Sequence, residues 1–280
     1  MAVIIFWSYK VQELELMEVT GLTVYPIKST RAIPLERAHV TLRGFEHDRR
    51  WLLTDENGKF ITQRQYPVLA TVVTSIVDGG LQITRPEAES LRVSTPSAGA
   101  YSSTVTVWKD DCHALDAGDD AAQWFSDFLN MKCRLFYQPE QSIRSTDARY
   151  SKPEDHTSFA DGFPFLLTNE ASLADLNQRL TDTVSMSRFR PNIVVSGQQP
   201  YEEDTWSVIK IGDITFRVAK PCSRCVMTTV NPETGEKEGR EPLFTLAQYR
   251  RTEMGVIFGQ NLIPDQAGII RVGDKVTILE

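Results

Sequence analysis

Two cysteines and an arginine lie within four residues in the C-terminal part of the chain, in the run Cys222-Ser223-Arg224-Cys225. Thiolates are soft ligands that suit transition metals, and a guanidinium beside a thiol favours the thiolate and attracts anions. The run therefore predicts a site that combines a metal with an anionic group.

Three other interpretations of this spacing stay open. A structural zinc site needs four ligands, usually from a second CxxC or a His pair nearby, whereas Cys112 and Cys133 are isolated and all four histidines lie well upstream. A thioredoxin-like redox pair should open a helix, whereas the sequence of residues 226–230 favours a strand. Both thiols could also be ordinary buried residues.

Composition limits what the chain can do. Its 280 residues are 41% hydrophobic, enough for one large core or two modest ones. A net charge of −7 argues against nucleic acid as the main partner. Four irregularly spaced cysteines give no disulfide framework, which favours a reducing compartment, and we predict the cytoplasm.

The first sixteen residues contain a short apolar run that could be a targeting segment. Their apolar run is too short for a membrane span and has no basic residue ahead of it, so we predict neither a signal peptide nor a membrane contact. We hypothesise that Met17 is the natural start of the protein.

Short strands separated by turn signals dominate the pattern of elements. Asn57-Gly58 and Asp78-Gly79 supply the backbone conformations that tight hairpins need. Helices are predicted over residues 119–131, 169–180 (with Asn169 as N-cap) and 243–251. Strands are predicted over residues 20–27, 50–54, 59–62, 69–77, 81–84, 193–195, 208–211, 214–218, 226–230 and 276–279. Residues 141–159 are the best candidate for a linker or mobile loop.

Six segments, the cysteine run among them, carry a resemblance to a known family. They are Tyr25-Pro26-Ile27-Lys28-Ser29, Asp48-Arg49-Arg50-Trp51, residues 158–164 (SFADGFP), Phe189-Arg190-Pro191-Asn192, the cysteine run, and Phe258-Gly259-Gln260-Asn261. In order and in spacing, from about residue 20 to residue 280, they resemble the signature segments of MOSC-domain proteins. Within that superfamily the chain is most similar to the bacterial YcbX proteins and the mitochondrial amidoxime reducing component.

This resemblance implies a fold and a cofactor. The fold would be α+β but mainly β, with an N-terminal MOSC-associated β-rich domain over residues 17–115 and a MOSC β-barrel over residues 116–280. The cofactor would be the molybdenum cofactor in its molybdopterin form, in which a phosphorylated pterin dithiolene and one protein cysteine hold the metal. Such an anionic group needs cations and hydroxyls around it.

The resemblance also assigns site residues one by one. Cys225 matches the metal ligand and is a catalytic residue, whereas Cys222 is structural. Asp161 is the second catalytic candidate and, with Gly162, matches a loop over the pterin. The remaining cofactor-binding residues are Lys28, Ser29, Arg49, Arg190, Asn192, Ser223, Arg224 and Asn261. The mitochondrial relatives carry an aromatic residue where this chain has Asn261.

The implied activity is reduction of small N-hydroxylated compounds, such as hydroxylamines, amidoximes and N-hydroxylated bases. YcbX relatives often end in a ferredoxin-type domain, whose C-x₄-C-x₂-C run is absent from this sequence. Electrons would then come from a separate reductase or iron–sulfur protein, or the sequence is part of a longer chain. The alternative is a carrier that delivers the cofactor, or sulfur, to another enzyme.

Overall fold

A computed structural model describes residues 17–86 and 88–280 of the protein. The predictions about the N-terminal stretch and about Met17 as the natural start concern residues 1–16, which lie outside this range. Strands occupy far more of the described chain than helices do, so the mainly β fold class is confirmed.

The described residues form twenty-one strands and three α-helices. The strands are β1 Val19–Val24, β2 Ile33–Leu35, β3 Arg37–Thr41, β4 Gly44–Phe45, β5 Trp51–Thr54, β6 Val73–Val77, β7 Gly80–Thr84, β8 Leu91–Ser94, β9 Ser102–Val107, β10 Asp110–Asp116, β11 Arg134–Tyr137, β12 Arg144–Ser145, β13 His156–Thr157, β14 Phe165–Asn169, β15 Ile193–Val195, β16 Val208–Ile211, β17 Ile214–Ser223, β18 Arg251–Thr252, β19 Gly255–Pro264, β20 Gly268–Arg271 and β21 Val276–Ile278. The helices are α1 Asp119–Leu129, α2 Glu170–Gln178 and α3 Leu243–Tyr249.

The largest sheet has nine strands in the order β2-β1-β15-β14-β19-β17-β16-β21, with β18 attached to β19. Together with the three-stranded sheet β20-β3-β4 it surrounds one apolar core that includes Phe165, Trp206 and Phe216. The N-terminal strand β1 belongs to this sheet, where Leu22 pairs with Ile193. Residues far apart in sequence therefore meet at the ends of these strands.

A second apolar core lies under the sheets β5-β11-β10-β9 and β6-β7-β8. Helix α1 covers it with Ala121, Phe125 and Leu129. These residues recur every four residues, so one face of the helix is apolar and buries against the strands. The packing of this helix was predicted from that spacing.

The predicted N-cap of α2 is confirmed. The Asn169 side chain accepts a hydrogen bond from the Ala171 backbone N–H at 2.8 Å, which satisfies one of the free donors of the first turn. Helix α3 also forms within its predicted range, as Leu243–Tyr249.

The strand predicted over residues 226–230 is wrong, because residues Val226–Thr229 form a 3₁₀ turn. The hydroxyls of Thr228 and Thr229 donate to the carbonyls of Cys225 and Val226, at 3.0 and 2.8 Å, and these local bonds favour the turn over an extended strand. The strand argument against a redox cysteine pair therefore fails, although a single 3₁₀ turn is not the helix of a thioredoxin site.

Two other strand predictions need correction. Residues 59–62 form no strand, and only Lys59 and Phe60 make isolated bridges. The Asp55 carboxylate accepts the backbone N–H groups of Asn57 and Lys59 and fixes a local turn. The predicted strand over residues 69–77 begins only at Val73. Pro67 starts a 3₁₀ helix, Pro67–Thr71, because its fixed φ suits the first position.

The segment predicted as a linker or mobile loop, residues 141–159, is anchored to the fold. It contains the β12–β13 pair, and the buried Arg144 binds Asp110 at 2.9 Å and the Ser158 carbonyl at 3.1 Å. Its last residues lead directly to the predicted site loop around Asp161.

Candidate active site

One cavity of about 280 Å³ contains every site residue predicted from the sequence. These residues come from six separate segments, which the ends of β1, β14, β15, β17 and β19 and the loop before β5 bring together. The predicted residues in its wall are Lys28, Ser29, Arg49, Asp161, Gly162, Arg190, Asn192, Ser223, Arg224, Cys225 and Asn261.

The cavity wall has the opposite charge balance to the whole chain. Its basic residues are Lys28, Arg49, Arg64, Arg188, Arg190, Lys220 and Arg224, against one acidic residue, Asp161. Seven cations and one anion face a shared space in a protein whose net charge is −7. Arg49 and Arg188 also pair with acids outside the wall, Asp48 and Glu238, but cations still outnumber acids around the space, so the cavity is suited to an anionic ligand.

Lys28 and Asp161 form an ion pair in this wall. The buried Lys28 ammonium donates to Asp161 Oδ1 at 2.6 Å and to the Phe159 carbonyl at 2.8 Å, while the Asp161 side chain is 63% exposed. Burial lowers the pKa of Lys28 to about 8 despite Asp161. Desolvation would raise the pKa of Asp161, but Lys28 outweighs it and holds this pKa below its usual range. Asp161 is therefore ionised at neutral pH.

Ser29 and Gly162 show that the wall is shaped for a ligand. The Ser29 hydroxyl is buried without a hydrogen-bond partner, a costly arrangement in a folded protein. A Cβ added at Gly162 would meet no atom within 4 Å, so this loop leaves open space beside the cavity. A phosphate or polar ring that accepted from Ser29 would satisfy the hydroxyl, which fits the predicted cofactor.

Two arginines lie against one tyrosine ring. The guanidinium carbons of Arg49 and Arg190 are 4.0 and 4.2 Å from the centre of the Tyr25 ring. Arg49 also donates to the buried Asp48 carboxylate at 2.6 Å and to the Asn192 side-chain oxygen at 3.0 Å. Burial raises the pKa of Asp48 and lowers the pKa of Arg190 to about 10. The guanidinium groups are thus held in place with little water around them.

Ser29, Arg49 and Arg190 also share a strained backbone. Their φ angles are +73°, +48° and +56°, a region that residues with a side chain rarely adopt. Three of the seven such non-glycine residues in the described chain line this one cavity. Strain of this kind concentrates at functional sites, where surrounding contacts hold it in place.

The cysteine run forms one side of the cavity, with a guanidinium at each thiol. Arg224 Nη1 lies 2.9 Å from the Cys222 Sγ, and its Nη2 donates to the Phe189 carbonyl at 2.7 Å. Arg64 Nη2 lies 3.3 Å from the Cys225 Sγ. Both cysteines are free and partly exposed, so both thiols can reach a ligand in the cavity.

Ser223 and Asn261 use their polar hydrogens on the backbone. The Ser223 hydroxyl donates to the Met254 carbonyl, and the Asn261 amide donates to the Lys220 carbonyl at 3.2 Å. Both contacts join β17 to β19 or its hairpin, so these side chains fix the shape of the cysteine loop.

Sequence reasoning missed three basic residues of the wall: Arg64, Arg188 and Lys220. Arg188 precedes a predicted segment by one residue and Lys220 lies two residues before the cysteine run, so proximity was their only signal. Arg64 lies two residues beyond the strand that was wrongly predicted over residues 59–62, and nothing in its neighbourhood marked it.

Within residues 17–86 and 88–280, no three His, Cys, Asp or Glu side chains lie close enough to hold a metal ion. The zinc-stabilised alternative finds no protein site in this part of the chain. A metal at Cys225 would need further ligands from a bound group, as in the predicted cofactor.

Comparisons with known proteins identify two family domains in the chain. The model of the MOSC N-terminal beta barrel domain matches residues 16–132, and that of the MOSC domain matches residues 154–277. Our division at residues 115 and 116 stays a prediction.

Two curated relatives illustrate the similarity over nearly the whole chain. Mitochondrial amidoxime-reducing component 1 of Mus musculus is 37% identical over 93% of this chain and 82% of its own length, and the Homo sapiens protein of that name is 36% identical with the same coverage. Among solved structures, the YUAD protein of Bacillus subtilis is 10% identical, with a TM-score of 0.41 over 93% of this chain and 94% of its own. The chain belongs to the MOSC-domain family that includes the mitochondrial amidoxime-reducing components.

Proposed function

We propose that this protein reduces N-hydroxylated compounds with a molybdenum cofactor bound in the cationic cavity, and that Cys225 is the protein ligand of the metal. One observation carries the proposal: residues from six segments, each matched to a family signature, surround a single space beside Cys225. The names of the curated relatives support amidoximes as one substrate class.

The reaction would convert R–NH–OH, two electrons and two protons into R–NH₂ and water. When bound, the cofactor would supply the two electrons at a metal that accepts oxygen. Lys28, Ser29, Arg49 and Arg190 would hold its anionic groups through charge-assisted hydrogen bonds. Asn192 fixes the direction of Arg49, and the loop of Asp161 and Gly162 would cover the pterin.

Lys28 is better suited than Asp161 to donate a hydrogen bond to the anionic cofactor. Two of its three N–H groups bond to Phe159 and Asp161, which leaves one N–H for the bound group. With a pKa of about 8, Lys28 is still mostly protonated at neutral pH, whereas Asp161 is ionised and has no proton to give. Asp161 would then act by holding Lys28 in place.

Electrons would come from a separate reductase or iron–sulfur protein that docks near Cys225. No helix in the described residues is long and apolar enough to cross a bilayer. The cytoplasm stays our predicted location, and the four free thiols are compatible with a reducing compartment.

Turnover with a chemical reductant tests this function without the natural donor. Protein from a host that makes the cofactor should convert benzamidoxime to benzamidine with reduced methyl viologen, as measured by chromatography. Cys225→Ala protein prepared in parallel should leave the substrate unchanged. Equal conversion by both proteins would contradict the proposal.

The pair of guanidinium–thiol contacts also favours a second candidate, a carrier. A cysteine held beside a cation in an open cavity could carry the cofactor, or sulfur as a persulfide, to another enzyme. Protein that holds molybdenum but turns over no N-hydroxylated substrate would support the carrier over the enzyme.

A further inference from the structure

Arg64 belongs to the N-terminal half of the chain, yet it contacts the proposed metal ligand in the C-terminal half. Its Nη2 lies 3.3 Å from the Cys225 Sγ, in the wall of the cavity. The neighbouring thiol, Cys222, takes its guanidinium from Arg224 of its own loop. The Cys225 contact therefore depends on how two distant parts of the chain are held together.

Three contacts hold Arg64 in this position. Its backbone N–H donates to the Thr62 hydroxyl at 3.2 Å, and its carbonyl accepts from the Lys237 ammonium at 3.2 Å. The guanidinium carbon lies 4.6 Å from the centre of the Trp108 ring. Thr62 and Lys237 thus fix the backbone of Arg64, and Trp108 fixes its side chain.

Trp108 is an unusual residue for its place. It sits at the tight turn between β9 and β10 with a φ of +58°, where a bulky side chain is strained, and 48% of it is exposed. Its ring contacts Phe60, with ring centres 5.0 Å apart, and the Arg64 guanidinium. Glycine or asparagine would form this turn more easily, so the contact with Arg64 is a reason for tryptophan here.

We propose, on the basis of the function above, that Arg64 is a positioning residue for Cys225, presented by Trp108, and that it raises the reduction potential of a metal bound at Cys225. An N–H···S hydrogen bond withdraws electron density from a sulfur ligand. A fixed positive charge also stabilises the reduced, more negative state of the metal. Both effects make the metal easier to reduce by the electron donor.

The test uses cofactor-loaded protein and two measurements other than turnover: molybdenum per chain by elemental mass spectrometry, and the midpoint potential of the metal by redox titration followed with electron paramagnetic resonance. The variants are Arg64→Gln, Arg64→Lys, Trp108→Leu and Trp108→Phe. Arg240→Gln is a matched control, because the Arg240 guanidinium also stacks on an aromatic ring, Phe244, at 4.0 Å, but lies outside the cavity wall.

Arg64→Gln should shift the potential to more negative values, and Arg64→Lys should lie between it and the wild type, since lysine keeps the charge without the planar fork. Trp108→Leu should shift the potential in the same direction by less, whereas Trp108→Phe and Arg240→Gln should match the wild type. If Arg64→Gln loses the metal, the midpoint potentials of Arg64→Lys and Trp108→Leu still test the proposal.

Two failures are distinguishable. Molybdenum at wild-type content with an unchanged potential in the Arg64 and Trp108→Leu variants would overturn this inference and leave the proposed function intact. Wild-type protein without molybdenum, made in a host that supplies the cofactor, would overturn the proposed function and this inference with it.

Discussion

Two cavities of this molecule each have a cysteine in the wall, and only one has the charges of an anion site. The second, beside α1, is larger, at about 890 Å³ against about 280 Å³, and contains Cys133. Its charged residues are Glu56, Asp119, Asp127, Lys132 and Arg134, three acids and two bases. Lys132 pairs with Glu56 at 3.3 Å and Arg134 pairs with Asp119 at 2.8 Å.

Neither the size of a cavity nor the presence of a thiol defines the site. Cys133 is buried, and this burial raises the pKa of its thiol, with the Ser126 hydroxyl as its neighbour. In the cationic cavity the thiols are partly exposed and lie beside guanidinium groups. An excess of cations over acids around a reachable sulfur separates a candidate site from an ordinary depression.

Substituting the cysteines of the two cavities should give the largest difference in turnover. Cys225→Ser should lower turnover by more than about 100-fold, because loss of mere outer contacts to a metal ligand already costs about 10- to 100-fold. Cys222→Ser should cost less, and Cys133→Ser should leave turnover per folded molecule unchanged. Steady-state rates with a chemical reductant measure all three. Equal losses at Cys222 and Cys225 would undo the assignment of the ligand.

The ion pairs of the two cavities should also differ in their contribution to stability. Arg49→Gln should lower the free energy of unfolding by about 3 kcal/mol, because it leaves the fully buried Asp48 carboxylate without its cation. Lys132→Gln, in an exposed pair of the second cavity, should change it by less than about 1 kcal/mol. Urea unfolding gives both values. Adding Asp48→Asn to Arg49→Gln should restore most of the loss, and no recovery would contradict the explanation.

How far the sequence predicts this site depends on the kind of signal. The cysteine run and its matching segments identified eleven wall residues, since those residues lie in short motifs that keep their order along the chain. Arg64 was missed because it reaches Cys225 across 161 residues of sequence through tertiary packing alone.

Secondary structure was likewise predicted correctly where the signal is local in the sequence. Helix α1 and the cap of α2 were predicted because apolar spacing and a cap residue act locally. The turn after Cys225 was mistaken for a strand, since threonine hydroxyls outweighed the β propensity of residues 226–230.

The pH dependence of anion binding tests the charge excess. Sulfate keeps its charge between pH 6.5 and 9.5, so a change in its affinity reflects a change in the protonation of the protein. Lys28 has a pKa of about 8, below its value in an unfolded chain, and loses its positive charge as the pH rises through 8. Calorimetry on cofactor-free protein should show affinity falling by about tenfold over this range.

Two variants control the pH experiment. Lys28→Gln should remove most of the pH dependence, because the titrating cation is gone. Lys132→Gln, which changes a lysine of the second cavity, should keep the wild-type curve. A flat curve for the wild type would rule out Lys28 as an anion contact.

The smallest expected effects come from removing one hydroxyl in the wall of each cavity. Ser29→Ala should weaken sulfate binding several-fold, with no loss of stability, because the Ser29 hydroxyl has no partner in the protein. Ser126→Ala should lower the free energy of unfolding by about 1 kcal/mol, since its oxygen accepts from the Cys133 N–H at 3.0 Å, and should not affect sulfate. The reverse pattern would contradict our view of both sites.

Elemental analysis shows directly whether Cys225 holds molybdenum. Wild-type, Cys225→Ala and Cys133→Ala proteins would be purified from a host that makes the molybdenum cofactor, and metal per chain measured by mass spectrometry. We predict near-stoichiometric molybdenum in the wild type and in Cys133→Ala, and a marked loss in Cys225→Ala. Zinc or no metal in the wild type, or full molybdenum in Cys225→Ala, would contradict the account.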